Sequence, residues 1–164
     1  MQQRKETTIV RFNELKAATM SPPDTELPQY RRERYTVLGR AAERAPATPG
    51  ANADVDISFG LMKCTSGTGN GSHAHGRWEI FIILAGRWKM TLEGGPLEGG
   101  EHELELGPWD VIVLPPNVFH AATNISDGDA WLMALNPDGK GQPFTLHPSL
   151  IRELKAWSEG DGRQ

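Results

Sequence analysis

Between residues 55 and 135 the chain is cut into short apolar runs by glycine and proline, and this punctuation limits its fold more than any other feature. Val55, Ile57, Phe59 and Leu61 alternate with Asp56, Ser58, Gly60 and Met62, a period of two that predicts a half-buried strand. Glu79 to Leu84 is a second such run, with Glu79, Phe81 and Ile83 on one face, and Gly86 reverses the chain into Arg87 to Leu92. Gly94 to Gly100 reads as a turn-forming insertion, and Glu101 to Leu106 as a strand with an exposed glutamate face. Asp110 to Leu114, Phe119 to Asn124 and Ala130 to Leu135 complete the set, with Ser126 to Asp129 as a hairpin turn. Many short strands at regular spacing predict an all-β sandwich or barrel.

The flanks are less regular. Residues 7 to 12 are rich in β-branched side chains and read as a strand, residues 18 to 29 as a Pro-rich surface loop, and Tyr35 to Leu38 as a second strand. Residues 41 to 53 are small, Pro- and Gly-punctuated, and read as a mobile loop or lid. Pro148 to Trp157 sets Leu150, Ile151, Leu154 and Trp157 at helical spacing, which predicts a helix packed on the outside of the β domain or against a second subunit. The expected organisation is one domain over residues 1–164: N-terminal strands and loops (1–53), a β core (54–137), and a C-terminal helix and tail (138–164).

At 164 residues the chain can bury a core without disulfide staples. The net charge of −4 offers no basic field to nucleic acid or an anionic membrane, and no run approaches the roughly 18 apolar residues of a membrane span. A single cysteine, Cys64, excludes an internal disulfide framework and reads as a small buried hydrophobe. With no apolar signal core in Met1 to Glu6, the expectation is a cytoplasmic protein that works on a small molecule, without nucleic-acid or membrane partners.

The chemistry concentrates in Gly67-Thr-Gly-Asn-Gly-Ser-His73-Ala-His75-Gly-Arg-Trp-Glu79. Two imidazoles two residues apart on a strand project from one face, and a carboxylate follows four residues later. Mixed nitrogen and oxygen donors suit a borderline divalent cation: Fe, Mn, Zn, Ni, Co or Cu. His120, ending a strand-like run after Pro115-Pro116, is available as a distant fourth donor.

These residues also carry a resemblance. Gly67, five residues, His73-x-His75, three residues, Glu79, six residues, Gly86 resembles in full the first sequence motif of the cupins. Gly107-Pro-Trp-Asp110-Val-Ile-Val-Leu-Pro115-Pro-Asn117-Val-Phe-His120-Ala-Ala-Thr-Asn124 resembles the second. Asn117 replaces the glycine of a Pro-x-Gly turn, a mild change because Asn tolerates left-handed backbone, and the stretch from Gly107 to Pro115 is two residues longer than the common pattern. The resemblance spans residues 55 to 137 and implies a small antiparallel β-barrel or jelly roll with His73, His75, Glu79 and His120 as metal ligands inside it. It also implies a homodimer, since N-terminal strands of similar proteins often add to a neighbour's sheet, as residues 7 to 12 would.

Four ligands leave two octahedral positions for water, O2, a keto or enol oxygen pair, or a carboxylate. The alternative, a metal-free set of satisfied polar residues, is disfavoured because unpaired buried His and Glu are costly. Phe81, Ile83, Trp88, Met90 and Phe119 would wall an apolar cavity; Arg77 and Lys89 lie close enough in sequence to anchor an anionic group, although solvated edge charge is the simpler role for both. Trp78, Trp88, Trp109 and Trp131 read as packing residues, and His102 and His147 as surface residues. Glu79 is the one candidate for a catalytic role among the ligands. The expected activity is dioxygenase-like, on a small aromatic or keto-acid substrate, with Fe(II) favoured. A non-redox isomerase, lyase or decarboxylase is the runner-up, and a binding module without turnover the third reading.

Overall fold

The computed structural model describes residues 8–18, 22–39, 56–93, 102–137 and 143–160. Among them ten strands form two five-stranded antiparallel sheets. The strands are β1 (Glu33–Leu38), β2 (Ile57–Cys64), β3 (Gly69–His75), β4 (Glu79–Ala85), β5 (Trp88–Glu93), β6 (His102–Leu106), β7 (Val111–Leu114), β8 (Phe119–Asn124), β9 (Ala130–Pro137) and β10 (Phe144–Leu146). The first sheet runs β1-β2-β9-β4-β7 and the second β10-β3-β8-β5-β6. A helix, α1 (Pro148–Glu159), closes the described chain. The fold is a jelly roll of two facing sheets and not a continuously hydrogen-bonded barrel.

Alternation along the strands sets a gradient through the space between the sheets. On β4 the inward row runs Ile83, Phe81, Glu79, all buried, as the period of two predicts. On β9 it runs Ala130, Leu132, Ala134, Asn136, and on β2 Cys64, Met62, Gly60, Ser58, with each of these residues paired directly to its β9 counterpart. The apolar end holds Trp88, Ile83, Met90, Leu132 and Ala122, each at most 1 % exposed, and forms one continuous cluster. Burying side chains of this size stabilises the fold by about 2 kcal/mol each. The other end turns polar, and the site lies there.

Several elements differ from expectation. Residues 8–12 are not a strand: the chain is irregular to Arg11 and turns through a 3-10 helix at Phe12–Glu14, with Ile9 70 % exposed. β-branched residues favour a strand only where a neighbour pairs with them, and among the described residues none does. Instead Phe12 packs its ring 5.0 Å from Tyr35, tilted against it, and 5.6 Å from Trp131, edge to face. The stretch expected as a surface loop at 18–29 contains 3-10 helices at Pro23–Glu26 and Pro28–Tyr30, and buries Asp24, Thr25 and Leu27. Ser126–Asp129 is not a hairpin turn, because β8 and β9 lie in different sheets. The Asn124 side chain shapes this crossover, accepting from the Ser126 amide at 2.8 Å and donating to the Gly128 carbonyl at 2.8 Å. Gly86 likewise carries the chain between sheets, at φ +80°, where a Cβ would lie 2.5 Å from the Cβ of Ala130. Residues 41–53, the expected lid, and Gly94–Gly100 lie outside the described residues.

The N-terminal segment is tied to β3 by a buried ion pair. Arg32 donates to both carboxylate oxygens of Asp24, at 2.9 and 3.1 Å, and to the Gly69 carbonyl at 3.2 Å. Asp24 Oδ2 also accepts the Gly71 amide at 2.8 Å. From the outside α1 presses Leu150 against the same spot, so that a Cβ on Gly71 would lie 2.5 Å from Leu150 Cδ2. His147, expected on the surface, is partly buried: it caps α1 by accepting the Ser149 amide, and its Nε2 is 3.0 Å from Glu93.

Candidate metal centre

His73 and His75 sit two apart on β3 and share a face, as the spacing predicts. His120 on β8 is the direct cross-strand partner of His73, which brings two sequence-distant imidazoles to a ring-centroid distance of 4.5 Å. All three belong to the second sheet, whereas Glu79 opens β4 in the first. The cluster therefore spans the gap between the sheets. Its four donor atoms lie within 4.8 Å of one another.

Each donor is oriented by its neighbours. His73 Nδ1 lies 2.9 Å from the Gly71 carbonyl and His120 Nδ1 lies 3.0 Å from the Val118 carbonyl. Both contacts hold the ring by Nδ1 and turn Nε2 toward the centre, the arrangement that orients a metal-ligating histidine. Glu79 is held by its other oxygen: Asn136 Nδ2 donates to Oε1 at 3.0 Å, and Oε2 faces His120 Nε2 at 3.0 Å and His75 Nε2 at 3.5 Å. Local turns deliver these groups. Asn117 adopts the left-handed conformation at φ 63°, so Asn serves where glycine is usual, and its amide donates to the His75 carbonyl at 2.8 Å. Within the longer Gly107–Pro115 stretch, Trp109 also takes a positive φ and is 77 % exposed.

Burial, reinforced by the neighbouring His120, holds His73 neutral well below the ordinary imidazole value, and burial lowers His75 too. Burial alone would raise the Glu79 carboxyl, but the His120 hydrogen bond and the surrounding imidazoles prevail and bring it down to about 2. Neutral imidazoles at His73 and His75 and an ionised Glu79 are the state in which these side chains can donate to a divalent cation. The size also fits: ligands at about 2.1 Å from one ion lie at most about 4.2 Å apart, so closure asks for about half an ångström.

A cavity of about 130 Å³ opens beside the cluster. Its wall includes Arg34, Thr36, Ser58, Phe81, Ala134 and Phe144, together with His73, His75 and Glu79. Of the wall residues expected from sequence, Phe81 lines it, while Trp88 and Met90 lie fully buried in the apolar core. Phe119 is partly buried with its ring 4.8 Å from His147. Arg77 is exposed, and Lys89 pairs with Glu103 at 2.9 Å along the β5–β6 surface. Arg34, Asn136 and Phe144 escaped the sequence reading. Asn136 extends the alternating inward row of β9 and was legible by parity; Phe144, on a three-residue strand after a proline, had little signal.

Comparison with known proteins places these features. Residues 60–136 match the family profile described as a cupin domain. An oxalate oxidase superposes with a TM-score of 0.61 at 18 % identity, over 90 % of this chain and 68 % of that one. The oxalate decarboxylase of Bacillus subtilis, solved with attention to its Mn(II) centres, gives 0.57 at 17 % identity, over 79 % of this chain and 32 % of that one. A structure of DMSP lyases gives 0.54 at 18 %, over 71 % of this chain and 52 % of that one. The chain thus spans about half or less of two of these three proteins. At such identities the likeness is one of fold. No curated protein matches by sequence.

Proposed function

We propose that this chain, whose residues 60–136 match a cupin domain, is a metal-dependent enzyme that oxygenates a small organic substrate at a centre formed by His73, His75, Glu79 and His120. The observation that carries this reading is the convergence of three imidazoles and one carboxylate within 4.8 Å beside a cavity. A divalent ion held there supplies Lewis acidity and, for Fe or Mn, one-electron chemistry toward O2. The chain's own groups do the rest. The Gly71 and Val118 carbonyls hold the rings of His73 and His120 by Nδ1, and Asn136 holds Glu79 so that Oε2 faces the imidazoles. Phe81, Ala134 and Phe144 exclude water from part of the wall, while Thr36 and Ser58 offer hydroxyls to a substrate. Small aromatic and keto-acid substrates are the classes we test first. We read the protein as a single-domain, cytoplasmic homodimer.

A second reading, a lyase or decarboxylase without net redox change, is motivated by the fold shared with DMSP lyases and an oxalate decarboxylase. The test is to purify the protein without metal supplementation, identify its metal by elemental analysis, and screen small keto acids and phenols in air and under anoxia. Oxygenation predicts substrate-dependent O2 uptake with Fe(II) or Mn(II) and none with Zn(II). Equal turnover under anoxia moves the assignment to the lyase class, and a purified protein that takes up no divalent metal overturns both.

A further inference from the structure

We propose that a second copy of this chain stacks on the outer face of the first sheet, covering Val111 and Val113 of β7, with Trp109 as the anchor at its rim. This rests on the homodimer reading above and names its surface.

The alternation that sends Glu79, Phe81 and Ile83 inward sends Ile80 and Ile82 outward. Strand register extends this pair into two apolar rows across the sheet. Val113, Ile80, Leu135 and Phe59 oppose one another in the first row, and Val111, Ile82, Met133 and Leu61 in the second. Neither row holds a charged or polar side chain. On the edge strand Val111 is 56 % and Val113 60 % exposed, and the other members are partly exposed or half-buried. Monomeric proteins rarely leave so continuous an apolar face open. Residues 8–12, from the segment expected to join a neighbour's sheet, cover one corner instead, where Phe12 lies against Tyr35 and Trp131.

Trp109 points to the same face from backbone geometry. The Asp110 amide donates to the Gly107 carbonyl at 3.0 Å, closing a turn with Pro108 and Trp109 at its centre. The Trp109 amide donates to the Ile83 carbonyl at 2.8 Å and the Ile83 amide to the Asp110 carbonyl at 3.0 Å, so both residues oppose Ile83 in a β-bulge. Turn and bulge alike require a positive φ at this position, a place glycine ordinarily fills. Trp109 holds it at φ 74° while 77 % exposed, so packing inside the chain does not offset the strain. An aromatic side chain held out at the end of an apolar edge strand is the kind of anchor that interfaces use.

The composition of the face selects a second copy as its occupant. Homodimer interfaces are more apolar than those of transient partners, which match the ordinary protein surface. A flat, uncharged plate is complementary to itself about a two-fold axis, and two chains of net charge −4 meet there without like charges at the centre. Four strands at about 4.8 Å spacing and two rows of about 7 Å each give a plate on the order of 300 Å², the core of the roughly 800 Å² that each partner of a stable pair buries.

Sedimentation equilibrium of the full chain, as purified, tests this. The native chain should dimerise, and Val113→Lys and Trp109→Gly should each raise the dimer dissociation constant at least about tenfold while keeping the native circular dichroism. Thr91→Lys sets the same charge on β5 of the second sheet and should dimerise like the native chain. In the Val113→Lys background, Trp109→Gly should raise the melting temperature, because glycine relieves the turn. A native dimer that both Val113→Lys and Trp109→Gly leave intact overturns this surface alone. A dimer broken by Thr91→Lys and not by Val113→Lys also overturns it, in favour of the second sheet. If Val113→Lys does not fold, Trp109→Gly decides. A native chain that stays monomeric overturns the homodimer reading together with this one.

Discussion

Glu79 shows how much one proposed ligand depends on a neighbour outside the cluster. Its Oε1 is occupied by the Asn136 amide, and only Oε2 faces the imidazoles. Asn136→Ala therefore frees the carboxylate to rotate while removing a side chain whose own Oδ1 has no protein hydrogen-bond partner. The expected outcome is a metal affinity about 10–100-fold weaker, measured by competition with a chelator, with little change in melting temperature. At this scale the clustering of these side chains was legible in the sequence because their spacing reflects strand geometry: His73 and His75 must share a face, and Glu79 must head a row that buries Phe81 and Ile83. Asn124 shows the opposite: no spacing rule marks it, yet it is fully buried and donates to the carbonyls of Cys64 and Gly128.

Among elements, β3 carries two of the proposed ligands and is supported from both sides. Asp24 accepts the Gly71 amide, the Gly71 carbonyl takes His73 Nδ1, and Leu150 of α1 closes over the glycine. Asp24→Ala strands the buried Arg32 charge and should cost about 3 kcal/mol in chemical denaturation, while weakening metal binding through the loosened His73. Leu150→Ala should cost about 2–5 kcal/mol with metal affinity less affected. None of this support was visible in sequence. Asp24 lies in a Pro-rich stretch with the composition of a surface loop, and its partners follow 8 and 47 residues later. The core strands were legible by alternation. Their assignment to sheets was not, because a short Gly- and Asp-rich connection looks the same whether it joins neighbours or crosses between sheets, as residues 125–129 do.

Across the whole molecule, the gradient from Trp88 and Ile83 to Glu79 and His120 places polar groups where the hydrophobic effect cannot stabilise them. This carries a pH signature in the metal-free protein. His73 and His75 are held below their ordinary value, so under pH 6.5 the unfolded chain takes up protons that the folded chain refuses. Glu79, at about 2 instead of 4.5, adds the same sign in a lower window. Stability is therefore fully present above pH 6.5 and lost as the pH falls, first through the histidines and then, below 4.5, through Glu79. Thermal melts of metal-free protein from pH 7.5 to 4 should show a steady fall in Tm, and a flat profile would place the histidines in solvent. Bound metal should raise Tm at neutral pH and lose that effect on acidification as protons compete for the donors.

The central claim is that four residues from two sheets hold one metal ion, and metal stoichiometry tests it most directly. Native protein and the single variants His75→Ala, Glu79→Ala and His120→Ala are each loaded with Mn(II), Fe(II) or Zn(II), passed through a desalting column and analysed for metal. The account predicts one ion per native chain and a sharp loss in all three variants, including Glu79→Ala, whose residue comes from the opposite sheet. Native-like metal content in the Glu79 and His120 variants would contradict it, because the ion would then sit somewhere other than between the sheets.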